Sequence, residues 1–303
     1  MQKNTKGPEI PGLELHTLNP EQAAAALNEH GFLLQQAVRR KIEGLTENYL
    51  NLGVHWKLEG YEYPVQAPDS SETTIDILIR GGATYLCLEC KRPNAGYKHW
   101  LFFDSSPFQN MVASHTWIEA CVVNVDGRGR KRRIERLPPN RLPSFQHFLE
   151  VTLSQPSKDG RPRNRPELPG TDKVARTDTL HASLRQAITA SSGLVSKLLR
   201  SEVSARAVPV IVTTAQLYEC QYPLEKIDSQ TGTIAATEIQ LAQHPFIAVQ
   251  YSAPESLALK EGLTAHERSP GLNDLVNCIL RTAYVVRVHN INEFLIWAGH
   301  NLL

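Results

Sequence analysis

The sequence predicts a mixed α/β fold, in which a mixed β-sheet is flanked by helices and carries a basic insertion. Three observations lead there. Long stretches repeat their apolar residues at helical spacing, and short β-branched runs lie between them. The elements follow in the order helix, strands, helix, strand, strand, helix. The 303 residues are 41% hydrophobic and 21% charged, which allows a sizeable core in an ordinary globular chain.

Residues 20–30, PEQAAAALNEH, read as a helix with Asn19 as N-cap and Pro20 at its first position. They belong to an N-terminal helical extension over 1–32. A second helix is expected over 33–52. Leu34, Val38, Ile42, Leu45, Tyr49 and Leu52 make one apolar stripe there, and Gly53 ends it. VHWKLEGYEYPV is strand-like, and the loop QAPDSSE leads into a hairpin, TTIDILIRGGATYLCLECK.

HWLFFDSSPFQNMVASHTW shows no clear period, WIEACVVNV reads as a strand, and DGRGRKRR as a turn followed by a basic cluster. Residues 155–177 are rich in Pro, Gly and charge and are expected to be a mobile loop, inside an insertion at 100–178. LHASLRQAITASSGLVSKLLR is a helix, AVPVIVTTAQLYEC a buried strand, and HPFIAVQYS another strand. LNDLVNCILRTA reads as a helix or part of one, and AYVVRVHNINEFLIWAG as a strand leading into a short helix. The whole chain, 1–303, is expected to be one domain.

The N-terminus has no apolar core of a signal peptide, and no run approaches the roughly 18 apolar residues of a membrane span. No membrane partner and a cytoplasmic location are therefore expected. Five scattered cysteines suit a reducing compartment. Cys87 and Cys90 have CxxC spacing, but three residues apart on a strand they point to opposite faces and could not share a metal. The eleven histidines form no HxH or HExxH group. Residues 126–176 carry 13 Lys/Arg against 6 Asp/Glu, which suggests a polyanionic partner.

The hairpin carries the chemistry. Alternation puts Ile75, Ile77, Ile79, Leu86 and Leu88 on one face, and Asp76, Glu89 and Lys91 on the other. A two-residue turn at Gly81-Gly82 sets Asp76 opposite Cys87 and diagonal to Glu89; a four-residue loop, GGAT, sets Asp76 directly opposite Glu89. In both registers the carboxylates share a face. Facing carboxylates repel unless a cation lies between them, and hard oxygens suit Mg²⁺. Lys91 is placed to orient or help deprotonate a water, or to stabilise charge on phosphorus.

Asp76, a hairpin, then Glu89-Cys90-Lys91 resembles the PD-(D/E)XK nuclease superfamily, with Ile75 where that family has Pro. The resemblance covers roughly 33–92 and 181–218. It implies a restriction-endonuclease-like sheet and Mg²⁺-dependent phosphodiester hydrolysis, with Mn²⁺ as a substitute ion. Asp76 and Glu89 would bind the metal and Lys91 would act in catalysis. The preceding helix would supply another catalytic and metal-binding acid, matched best by Glu43, with Glu47 as the alternative. Both glutamates point away from the apolar stripe, as exposed residues do.

Gln186, with Arg185 beside it, matches the position from which some members reach the phosphate. Arg128, Arg130, Lys131, Arg132 and Arg133 are the expected phosphate-backbone contacts. Trp100, Phe102 and Phe103 are expected to pack under the insertion rather than stack on bases. The expected partner is nucleic acid, DNA first, with a homodimer or further subunits of a restriction or phage-defence system as additional partners. The alternative is a nuclease-like nucleic-acid-binding or assembly protein that does not cleave.

Overall fold

The computed structural model describes residues 19–29, 32–46, 55–93, 98–103, 116–124, 129–137, 142–151, 179–253 and 279–303. Helix α1 spans Pro20–Glu29 and α2 Phe32–Thr46. On α2, Leu34, Val38 and Ile42 are buried, which is the predicted stripe as far as the description extends. The expected remainder of that helix, including Glu47, and the loop expected at 155–177 lie outside the described residues.

Among the described residues the strands form two sheets, of nine and four strands. The large sheet begins with β1 (Lys57–Gln66), β2 (Glu72–Gly81) and β3 (Thr84–Lys91), all antiparallel neighbours. β3 then runs parallel to the central β9 (Ala205–Thr213), and β9 parallel to β13 (Leu280–Arg287). β12 (Phe246–Ser252) pairs antiparallel with β13, and the short β7 (Ser144–Phe145) parallel with β12. This is a mixed sheet flanked by helices.

The sheet forks at β9. Its first half, Ala205–Ala207, pairs with β5 (Thr116–Val123), which pairs with β6 (Arg130–Leu137). Its second half, Val210–Thr213, pairs with β13. At a fork, backbone groups lose ladder partners and must find others. The Trp117 N–H donates to Thr282 Oγ1 at 2.7 Å, and the Thr116 and Tyr284 hydroxyls lie 3.1 Å apart. Segment 100–178 is therefore no simple appendage: β5 and β6 belong to the main sheet. The basic cluster of DGRGRKRR lies on a strand from Arg130 onward, and residues 126–128 of the expected turn lie outside the described residues.

The smaller sheet orders β11 (Gln240–His244), β10 (Gln216–Gln221), β4 (His99–Phe103) and β8 (His147–Val151). The single run AVPVIVTTAQLYEC is thus two strands, β9 and β10, in different sheets. Trp100 and Phe102 are fully buried against Phe145, Phe148 and Ile211, the packing role expected of them. Leu280–Ala283, read from sequence as helical, are strand, because β12 pairs with each of them from Val249 to Ser252.

Helices cover both faces of the large sheet. α2 and α4 (Ile291–Asn301) bury Ile77, Ile79, Leu86, Leu88, Cys90 and Val208 on one face. α3 (Thr179–Arg200) covers the other, where Leu78, Tyr85 and Cys87 pack on Ala190, Leu194 and Val195. Cys87 and Cys90 do lie on opposite faces. Glu150 of β8 accepts the Leu180 N–H at 2.6 Å, placing a carboxylate at the positive end of α3. At Gly193 of α3, a Cβ would meet the Gln66 carbonyl oxygen at 2.7 Å, so only glycine allows this close packing on β1.

Candidate active site

The β2–β3 turn is Gly82-Ala83, not Gly81-Gly82. Gly81 pairs with Thr84, and Gly82 takes a left-handed φ of 56° that suits glycine. The register is therefore that of the longer-loop alternative, and continuing it one step past Ile77↔Leu88 brings Asp76 level with Glu89.

The β2–β3 ladder stops at that step. β2 continues with β1 to Glu72, while β3 continues with β9 to Lys91. The strands part where the two carboxylates face each other. Asp76 Oδ2 fills the gap by accepting the Cys90 N–H at 2.7 Å, a backbone donor that the opening leaves without a strand partner on that side.

One expected face assignment is corrected. Ile75 packs with Leu78, Tyr85 and Cys87 under α3, not with Ile77 and Ile79. Its β1 partner Tyr63 goes the same way, while Tyr61, paired with Ile77, packs toward α2. Both strands thus change face between these pairs. Glu62 sits at the change with φ 45°, a conformation costing a non-glycine residue roughly 1–3 kcal/mol.

Glu62 is level with Asp76 across the β1–β2 register. Gln35 of α2 is buried, and its Nε2 donates to Glu62 Oε1 at 2.7 Å and to the Asp76 carbonyl at 3.2 Å. The helix residue at this point is therefore Gln35. Glu43, two turns further on, accepts from Arg39 Nε at 2.9 Å and from the Tyr61 hydroxyl at 2.8 Å. These hydrogen bonds hold its carboxyl below the usual range, and burial followed by Glu43 pushes the Tyr61 phenol up to about 12. Sequence reasoning missed Gln35 and Glu62. The available signal was a polar residue inside the buried arc beside Leu34.

Glu89 is 2% exposed. Burial, then the Asp76 charge, pushes its carboxyl up to about 7, and Lys91 only partly opposes them. Burial likewise raises Asp76, although the Cys90 hydrogen bond works against it. Lys91 Nζ is ion-paired to Glu89 Oε1 at 2.9 Å, and this buried oxygen has no further hydrogen-bond partner among the described residues. A buried anionic oxygen in that state is a natural cation ligand.

The donor set is all carboxylate, which suits Mg²⁺ or Mn²⁺. Among the described residues no three His, Cys, Asp or Glu side chains lie close enough to form a metal cage.

Glu89 makes a pH prediction. Its folded value, about 7, lies above the ordinary 4.5. The stability it contributes is present below the unfolded value and is lost as pH rises through the folded one. The metal-free protein is expected to lose on the order of 3 kcal/mol between about pH 4.5 and 7. Denaturant titrations across that range check this, and Glu89→Gln should flatten the dependence; an equally steep dependence in that variant would assign it elsewhere.

The basic residues are mostly neutralised. Arg130 pairs with Glu202, and Arg133 Nη2 lies 2.6 Å from Glu135. Arg132, expected to contact phosphate, instead turns inward to buried Glu119 at 2.5 Å and to the Ser192 hydroxyl. The cause is the strand itself: alternation along β6 sends Arg132 under α3. Lys131 is exposed, Gln186 is half-buried on α3 and Arg185 exposed, and Arg128 lies outside the described residues. No described helix is long and apolar enough to cross a membrane. Compared with protein-family models, curated proteins and solved structures, the chain finds no match in any of the three.

Proposed function

We propose that this chain is a Mg²⁺-dependent nuclease hydrolysing phosphodiester bonds, DNA first, on a restriction-endonuclease-like arrangement of its mixed sheet. The observation that supports it most is the parting of β2 from β3 at one step. There half-buried Asp76 and fully buried Glu89 stand level, with Lys91 at 2.9 Å from Glu89. Asp76 and Glu89 would hold the ion, which supplies charge for the phosphate and a more acidic water.

Each side chain has a role that follows from its surroundings. The Cys90 N–H fixes Asp76 Oδ2. Glu89 is held in a dry environment where its attraction for a cation is little screened. Lys91 is one-third exposed, so its ammonium reaches the open side, where it can orient a water or stabilise charge growing on a phosphoryl oxygen. Gln35 ties Glu62 to the Asp76 backbone and so holds β1 against the site. A place in a restriction or phage-defence system rests on analogy with compact nuclease domains alone.

Cleavage and binding of a labelled duplex, measured together in Mg²⁺ and in EDTA, test the reading. Cleavage should occur in Mg²⁺ or Mn²⁺ and fall to background in EDTA, while binding weakens steeply with salt. Salt-sensitive binding without cleavage in either ion would replace the nuclease with a nuclease-like binding protein.

A further inference from the structure

One face of the smaller sheet packs on the core, where Trp100, Phe102, Phe148 and Leu217 are buried. Alternation sends the intervening residues of all four strands to the outer face. The register sets them in three rows across the sheet. The middle row is Gln243 of β11, Tyr218 of β10, Leu101 of β4 and Leu149 of β8. The next row, one step beyond the last pairing of β10 with β4, holds Leu241, Cys220, Phe103 and His147. The third holds Gln216, His99 and Val151.

Two ring contacts agree with this placement. Phe103 stacks on His147 with centroids 5.9 Å apart, and His99 lies 5.7 Å from Tyr218. None of these outer residues is Asp, Glu, Lys or Arg, in a chain that is 21% charged. The solvated face of such a sheet ordinarily turns polar residues outward. Here Leu149 and Leu241 are 46% and 58% exposed, and Leu101, Phe103, Val151 and Tyr218 are half-buried. The sheet's carboxylates alternate to the inner side, Glu150 toward the Leu180 N–H and Glu219 toward His244.

The absence of charge selects the occupant. A nucleic-acid strand stacked on the rings would find no cation on this face for its phosphates. A charged peptide would bury its own charges unpaired. A second copy of the same face brings neither problem, and a two-fold axis lets one patch serve both partners. Four strands of about five residues measure roughly 19 by 17 Å. Covering them buries on the order of 600 Å² of each copy, about 1,200 Å² in total, the lower edge of specific interfaces. We propose that the outer face of the smaller sheet is a homodimer interface, in which β11, β10, β4 and β8 of two copies pack face to face. The interface is separate from the carboxylate site, since Asp76 and Glu89 belong to the large sheet.

Sedimentation equilibrium of the full chain over a dilution series tests it. A reversible dimer, half formed at roughly 1–10 µM, is expected. Leu149→Glu and Leu241→Glu each bring two carboxylates into the interface, one per copy, and should weaken the dimer about tenfold or more. Both side chains are exposed in a single copy, so thermal midpoints should match the parent at dilutions where the parent is monomeric. Leu27→Glu, at a leucine equally exposed (45%) but on α1, should leave the dimer unchanged. A mixture of Leu149→Glu and Leu149→Lys chains, each monomeric alone, should recover a dimer. A parent that stays monomeric at every concentration, a dimer that tolerates both glutamates, or one that Leu27→Glu weakens equally would overturn the proposal. A monomeric parent that binds a labelled single strand, and loses it in Leu149→Glu, would assign the face to nucleic acid instead.

Discussion

Asparagine at position 76 is expected to abolish metal-dependent cleavage and, at the same time, to stabilise the metal-free protein. The substitution keeps the shape, and its amide oxygen can still accept the Cys90 N–H that Asp76 Oδ2 holds at 2.7 Å. What it removes is one of two facing negative charges. The Asp76 charge is the second cause, after burial, of the raised Glu89 carboxyl. On the proposed nuclease reading cleavage should fall by about a thousandfold or more, since Asp76 would then be a metal ligand acting directly on the transition-state charge. Above pH 7, where Glu89 is ionised, stability should rise by about 1 kcal/mol. Cleavage rates and denaturant midpoints on the same preparation check both halves. A variant that still cuts within tenfold of the parent would remove Asp76 from the chemistry. A less stable variant would mean that Cys90 needs the charge and not only the acceptor.

The second large effect concerns stability alone. Glu119→Gln is expected to cost about 3–5 kcal/mol, because it removes the buried anion that Arg132 and Arg281 share. Glu119 is 2% exposed and lies at the fork between β5 and β13. Its Oε1 accepts from Arg132 Nη2 at 2.5 Å and from Arg281 Nη2 at 3.3 Å. Arg281 is as buried as Glu119, so water cannot replace the lost charge. Pairing Glu119→Leu with Arg281→Leu removes the two most buried of the three charges and should recover the part of the loss that belongs to Arg281, leaving that of the more exposed Arg132. Chemical denaturation of the three proteins decides the point. A loss below about 1 kcal/mol for the single variant would show that this ion pair is as weak as a solvated one.

The same pair explains where the reading of the basic segment went astray. A run such as RGRKRR looks like a solvated, phosphate-seeking loop because composition carries no information about partners. Arg132 finds its anion 13 residues back in sequence and Arg130 finds Glu202 72 residues on. Only pairing β6 with β5, and packing both under α3, sets those residues side by side. The third acid is a related case. The resemblance matched Glu43 while helical spacing turned it outward, and the crossing of α2 over β1 brings Gln35 to Asp76 and Glu43 to Tyr61.

What the sequence determined by itself is what depends on neighbours in the chain. Period two placed Asp76 and Glu89 on one face once the two strands were hairpin partners, and period 3.6 identified the buried stripe of α2. These patterns are local, so they survive any tertiary arrangement. The structure decided the rest. It chose Gly82-Ala83 for the turn, parted β2 from β3 at the carboxylates, turned Ile75 toward α3 and supplied Gln35 and Glu62. Each of these depends on how β1, α2 and β9 press on the hairpin from outside it, and contacts between such distant segments leave no periodic trace in the chain.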